Sequence, residues 1–496
     1  MVQPQEVILC AVGPSSPASG AGGIYIHDLQ TGTTLASFKQ TSAPVHCTTF
    51  APSTQGQGGV LLAAQSEKTL VHAYSFQKDQ IMLRIAVPEK LSCLAIDRQG
   101  RFCAGGTSQG RLYLWEVSSG ILFAAFDAHY RAVNVVRFSD DGTALATGSE
   151  DSGVSVWLIS SLLDNELQTG LPMPYWMPTD HTLAVMDLQW GMGAFPGCRL
   201  FTVSLDSTCK IWDITTKTLM TTFVFPSPLS FIAVERTERT FFAASAEGEI
   251  FQMNLFRQRP GASGFRMEAV GGGGGAEAIR LGEGGDDIRK MKSEQPLRSL
   301  TISLTSAMLL AGTIDGSILI YDIPSHQLIR SLNVHKGYTI DMVATLLRPP
   351  DLLGHAPLGF GNKEEQIPIL PIAAFQRVKD QRARERHDVP MMLLALDEVC
   401  ILPSISDQVQ QHHSYFLSDL PSSAPDGSVA SLQTRVSDLE NEVAKLRGQL
   451  GRAKGVNDTM WETVVRSVLK GEKDGINGDE HGPEEGRRKR QRVAAA

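Results

Sequence analysis

One pattern recurs along this chain and restricts its fold more than any other feature. It is a short apolar strand, a tight polar turn, a second alternating strand and an aromatic residue near that strand's end. Clear copies are CAGGTSQGRLYLWEV (103–117), LATGSEDSGVSVWLI (145–159), LFTVSLDSTCKIWDI (200–214) and LLAGTIDGSILIYDI (309–323). Weaker copies are GIYIHDL (23–29), LLAAQSEKTLVHAYSF (61–76) and FFAASAEGEIFQMNL (241–255). The aromatic slot falls at His27, Tyr74, Trp115, Trp157, Trp212, Met253 and Tyr321, in steps of about 47, 41, 42, 55, 41 and 68 residues.

A step of about 40–45 residues is the length of one four-stranded propeller blade. Seven copies therefore predict an all-β, seven-bladed propeller over residues 1–350. The two long steps require insertions, at 160–180 and in the Gly-rich stretch 258–296, where GGGGG (271–275) and GEGGDD bury too little apolar surface to order themselves. VNVVRFSDDG (133–142), LSCLAIDRQG (91–100) and LAVMDLQW (183–190) alternate and then turn, as innermost strands do. ILFAAF (121–126) and LMTTFVF (219–225) read as outer strands. The first copy supplies EVILCAV, GIYIHDL and LASF but lacks a fourth strand. TIDMVATLLRP (339–349) can provide it from the far end of the ring, with IPILPIAAF (367–375) as its rival. Such closure removes two exposed sheet edges.

Polar residues track the repeat. Two copies carry a full set: His129, Thr147, Asp151 and Trp157, then His181, Thr202, Asp206 and Trp212. Asp315 keeps the turn position in a third copy, while Gln109, Lys68 and Glu247 replace the Asp elsewhere. Such sets could be read as catalytic. Their recurrence once per repeat instead favours structural tetrads, because a catalytic triad does not repeat blade by blade.

These seven copies resemble the WD-repeat propeller family. The AHYR loop, the VSVWLISSLL run and the FPSPL turn narrow the resemblance to the WD-repeat pre-rRNA-processing family of the fungal Rix/Ipi complex. The resemblance covers roughly residues 1–350, and the long Gly-rich insertion and the 351–425 segment depart from it. It implies a non-catalytic nuclear scaffold (nucleolus and nucleoplasm) for pre-60S ribosome maturation. It also implies support for processing of the spacer between 5.8S and 25S rRNA. The implied partners are two protein subunits of the same complex, the pre-60S particle and a midasin-type AAA ATPase. The alternative is a WD-repeat adaptor in a chromatin, replication-licensing or ubiquitin-ligase complex.

Beyond an irregular extension and linker (351–424), the period changes. Val429, Leu432, Val436, Leu439, Val443, Leu446 and Leu450 form an a/d heptad seam within 425–452. Val at a and Leu at d favour a parallel pair, with Arg435 facing Glu440 and Glu442 facing Arg447 across a homodimer. Packing of this helix on the propeller or on another protein is the other option. Residues 453–496 read as a short helix around Trp461 followed by a disordered tail. That tail carries Arg487, Arg488, Lys489, Arg490 and Arg492, the pattern of a nuclear import signal that could also touch rRNA phosphates. QRVKDQRARERH (376–387), of mixed charge, reads as a solvated helix.

With 42% hydrophobic and 20% charged residues, a real core forms and global disorder is excluded. A net charge of -8 argues against a surface built wholly for nucleic acid. The 7 cysteines include no CxxC pair, which fits a reducing compartment and offers no zinc knuckle. His412 and His413 read as loop. No phosphate loop, HExxH motif, signal peptide or membrane span stands out, so no enzyme activity, cofactor or metal is expected.

Overall fold

The computed structural model describes residues 5–15, 20–53, 57–164, 172–261, 264–270, 278–281, 289–352, 368–390, 437, 441 and 443–448. Residues 1–396 and 397–496 form separate compact units. The first is a ring of seven blades.

Blade 1 begins with β1 (Glu6–Pro14), β2 (Gly23–Asp28) and β3 (Thr34–Lys39). Blade 2 comprises β4 (Thr48–Ala51), β5 (Val60–Ala64), β6 (Leu70–Ser75) and β7 (Leu83–Ala86). Blade 3 comprises β8 (Leu91–Ile96), β9 (Phe102–Thr107), β10 (Arg111–Glu116) and β11 (Leu122–Asp127). Blade 4 has three strands, β12 (Val133–Phe138), β13 (Ala144–Ser149) and β14 (Val154–Leu158), followed by one turn of helix, α1 (Ile159–Leu163). Blade 5 comprises β15 (Val185–Trp190), β16 (Arg199–Ser204), β17 (Thr208–Asp213) and β18 (Thr218–Val224). Blade 6 starts with β19 (Phe231–Val234), β20 (Thr240–Ala244) and β21 (Glu249–Asn254). A separate hairpin follows, β22 (Phe256–Gly261) and β23 (Gly264–Ala269), then the short strands β24 (Ala278–Arg280) and β25 (Lys290–Lys292). Blade 7 comprises β26 (Leu297–Ile302), β27 (Met308–Thr313), β28 (Ile318–Asp322) and β29 (Leu328–Leu332), and β30 (Tyr338–Leu347) comes last.

Ring closure is made by β30, which pairs antiparallel with β1 from Glu6↔Leu347 to Pro14↔Tyr338. It takes the innermost place of blade 1, so the first and last strands of the ring share one sheet. The rival segment does not enter the ring. Residues 368–376 lie along blades 2 and 3 instead: Gly58 N–H donates to Pro368 O, and Ala373 N–H to Val117 O. A strand that leaves β1 paired on both sides hides more polar backbone than one added outside.

The two long steps contain more structure than simple insertions. In blade 4 the chain returns at Tyr175–Trp176, where Tyr175 N–H donates to Val156 O at 2.8 Å and Val156 N–H to Trp176 O at 2.9 Å. That bridge covers the edge of a blade without a fourth strand. In the second stretch, β25 is the outer strand of blade 6, and β24 adds in parallel to β18. Short local pairing therefore orders parts of 258–296 that composition alone assigns to loop. GGGGG and GEGGDD lie outside the described residues.

The core sits between blades. Phe201 and Phe223 of blade 5 meet Phe241 of blade 6, all three fully buried. Each such aromatic contributes about 1.5–3 kcal/mol by leaving water. The six cysteines of the described residues are buried free thiols. No helix among the described residues is long and apolar enough to cross a membrane.

Candidate functional site

Each tetrad joins four parts of a blade. In blade 4, His129 precedes β12, Thr147 lies on β13, Asp151 opens the turn after it, and Trp157 lies on β14. His129 Nε2 is 2.8 Å from Thr147 Oγ1, and its Nδ1 is 3.2 Å from Asp151 Oδ2. Trp157 Nε1–H donates to Thr147 Oγ1 at 3.3 Å. Blade 5 repeats this with His181–Thr202 at 2.8 Å, His181–Asp206 at 3.0 Å and Trp212 to Thr202 at 2.9 Å.

The same Asp also shapes its own turn. Asp151 Oδ1 accepts from Gly153 N–H, and Asp206 Oδ1 from Thr208 N–H. This steadies Ser152 and Ser207 at φ 65° and 63°, a region non-glycine residues rarely occupy. Blade 7 uses Gly316 at φ 83° instead, and a Cβ there would meet His335 O at 1.8 Å.

Burial by itself would raise both carboxyls. The hydrogen bond and charge from His129, with the Gly153 and Tyr130 N–H groups, hold Asp151 well below the usual carboxylate range. His181, Thr208 and the Thr182 N–H do the same for Asp206. The side chains of each set bond to one another within a single blade. The arrangement therefore ties strands together.

Blade 3 has no such set. Gly105 stands at the register position of the Thr, and Trp115 instead donates its Nε1–H to Gln376 O at 3.0 Å. Phe375 stacks on Trp115 with centroids 5.1 Å apart. The charged stretch behind Phe375 is only partly solvated. Asp380 caps α2 (Gln381–Glu385), and Arg384 is buried over Phe123, donating to Leu163 O. Asp315 is exposed and forms no tetrad comparable to those of Asp151 and Asp206.

The ring encloses a channel cavity of about 420 Å³ whose lining includes Arg137, Arg236, Arg298, Asp187 and Asp341. Arg137 lies 3.6 Å from Asp187 and Arg298 3.3 Å from Asp341. Burial pushes the Asp341 carboxyl up despite the Arg298 charge.

A third polar set was not visible in any local motif. Cys10 on β1, His27 on β2 and His335 before β30 meet inside blade 1. His27 Nε2 and His335 Nε2 are 2.9 Å apart, and Cys10 Sγ is 3.8 Å from His335 Nε2. Burial holds both imidazoles down at about 4, His335 adding to the effect on His27. The Cys10 thiol is pushed up to about 12. The only sequence signal is His27 standing in an aromatic slot.

Of the heptad residues, Val443 and Leu446 lie in the helical stretch 443–448 and are exposed. Val429, Leu432, Val436, Leu439 and Leu450 fall outside the described residues. So do Trp461, His412, His413 and the basic cluster Arg487, Arg488, Lys489, Arg490 and Arg492.

Seven four-stranded or bridged blades, two of them knotted by His–Thr–Asp–Trp sets, define a WD-repeat β-propeller. The WD domain, G-beta repeat family matches residues 120–157 and 175–213, which end at the Trp strands of blades 4 and 5. The chain is 30% identical over 325 residues to the pre-rRNA-processing protein crb3/ipi3 of Schizosaccharomyces pombe, covering 62% of this chain and 71% of that protein. It is 28% identical to the pre-rRNA-processing protein IPI3 of Mycosarcoma maydis over 94% of this chain and 96% of that one. It is 27% identical to human WD repeat-containing protein 18, over 90% and 96% respectively. The chain belongs to the IPI3 family of WD-repeat proteins.

Proposed function

We propose that this chain serves rRNA processing as a non-catalytic scaffold in the nucleus. The observation that carries the reading is the extent of the match: the Mycosarcoma maydis relative, named for pre-rRNA processing, aligns with 94% of the chain. The fold supports it physically. A propeller presents many loops from a rigid ring, which suits simultaneous binding of several proteins. The polar sets of blades 4 and 5 are consumed by strand-to-strand hydrogen bonds, so they are poor candidates for chemistry.

In finer detail, the chain acts on precursors of the large ribosomal subunit, where the spacer between 5.8S and 25S rRNA is removed. It works with two partner subunits and a midasin-type AAA ATPase. The heptads of 425–452 pair two copies, and the basic cluster at 487–492 directs nuclear import. Affinity purification with RNA sequencing tests this reading. Precursor rRNA holding unprocessed spacer, with two stoichiometric proteins, is the expected result. Histones or cullin subunits in their place would point to a different adaptor. Deleting 425–452 should turn a dimer into a monomer in light scattering, and a deletion variant that stays dimeric refutes the pairing.

A further inference from the structure

We propose that Cys10, His27 and His335 bind one thiophilic d10 cation, Zn2+, which staples the two ends of the propeller together. The three residues occupy tetrad positions. In blade 4, Thr147 pairs with Ser155, and Trp157 with Leu145 two residues earlier. In blade 1, Cys10 pairs with Tyr25, and His27 with Ile8 two residues earlier. Cys10 therefore stands where Thr147 and Thr202 stand, and His27 where Trp157 and Trp212 stand. His335, in the loop entering the innermost strand, matches His129 and His181. Pro14 lies four residues after Cys10, where the tetrads have Asp. The closing blade has thus exchanged a hydroxyl, an indole and a carboxylate for a thiol, an imidazole and a proline.

What remains is a ligand set. Thiol and imidazole are the donors Zn2+ prefers, and usual bond lengths put N and N about 3.3 Å apart, and S and N about 3.6 Å apart, in a tetrahedral site. The observed 2.9 Å and 3.8 Å need shifts of only a few tenths of an ångström. His27 Nδ1 lies 3.1 Å from Thr34 Oγ1, a partner that can accept its N–H and leave the Nε2 lone pair facing the cluster. The Tyr25 ring covers His335 at 4.3 Å, and all three side chains are buried. On binding, the Cys10 thiol releases its proton to solvent and the thiolate bonds the metal. A fourth position is left for a water; Cu+, another thiophilic d10 ion, needs only three ligands.

The location gives the site its purpose. Cys10 and His335 are 325 positions apart, so the bond closes a loop containing nearly the whole ring. Long loops are where a clip restrains the unfolded chain most.

The test uses the full chain, purified under reducing conditions, with elemental analysis for zinc and copper. About one metal per chain is expected, and the element found distinguishes the two ions. After stripping with chelator, Co2+ titration should give tetrahedral ligand-field bands with a thiolate charge-transfer band. Metal should raise Tm by an amount that grows with its concentration. Cys10→Ser keeps a hydroxyl where blades 4 and 5 have one, so it should fold yet lose the charge-transfer band. Cys10→Thr with His27→Trp rebuilds the tetrad positions and should fold without responding to metal. Purified chain carrying less than about a tenth of an equivalent and giving no cobalt bands would overturn the proposal, as would bands unchanged in Cys10→Ser. These readouts do not depend on any rRNA phenotype.

Discussion

Blades 5 and 1 use the same three backbone positions for opposite ends. In blade 5, Thr202 receives the indole N–H of Trp212 and contacts His181, which Asp206 holds from the other side. All four residues come from one repeat. In blade 1 the equivalent places hold Cys10, His27 and His335, drawn from both ends of the propeller. The first set is a hydrogen-bond relay complete within itself. The second has no carboxylate, and its sulfur and two ring nitrogens lie within 4.8 Å of one another. A repeat can thus keep its geometry while the joint of the ring acquires different chemistry.

The largest expected effect comes from the joint. Truncation before Tyr338 removes β30, exposes the inner edge of β1 and leaves the ring open. Loss of cooperative thermal unfolding in calorimetry is expected, whereas truncation after Leu352 should retain it. A sharp transition in the shorter chain would show that closure matters less than the individual blades.

Within blade 5, Trp212→Ala should cost about 3–5 kcal/mol in urea unfolding, the range for emptying a buried aromatic site. His27→Ala in blade 1 removes a smaller ring and should cost less when metal is absent. Equal costs would mean that His27 packs as the indole does.

Asp206→Ala leaves buried His181 without its carboxylate partner and should cost about 1–3 kcal/mol. A double-mutant cycle with His181→Ala should recover much of that as coupling. Additive costs would sink the relay reading.

The smallest effect is the pH dependence. Asp206 and Asp151 titrate lower in the folded chain than in the unfolded one, where an Asp sits at about 3.9. Their contribution is fully present above that value and is lost as pH falls below it toward the folded pKa, because the unfolded chain binds the protons first. Asp206→Asn should flatten the fall in stability between about pH 4 and pH 2, measured by urea unfolding at each pH. The Cys10–His27–His335 cluster, having no carboxylate, adds no Asp-type loss there.

Much of this contrast follows from the range of the contacts involved. The blades were legible because hairpins join neighbours in sequence, so apolar alternation and the Trp slots repeat with the structure. The spacing His129–Thr147–Asp151–Trp157 falls within one repeat for the same reason, and the two complete sets lie where the WD repeat family matches. The arm over Trp115 was not legible: Phe375 and Gln376 reach it across about 260 residues, and the charges of 376–387 conceal a buried Arg384. The strand pairs at β24 and β25 were hidden by Gly-rich composition.

What the amino-acid order alone decided is the number of blades, the two tetrad-bearing repeats and the incomplete first blade, since each depends on residues a few positions apart. Tertiary structure alone decided which late segment completes the ring and what meets at the joint. Cys10 and His27 share one local strand pair, but His335 lies more than 300 positions away, and only the closing of the circle, which buries otherwise open strand edges, brings it to them.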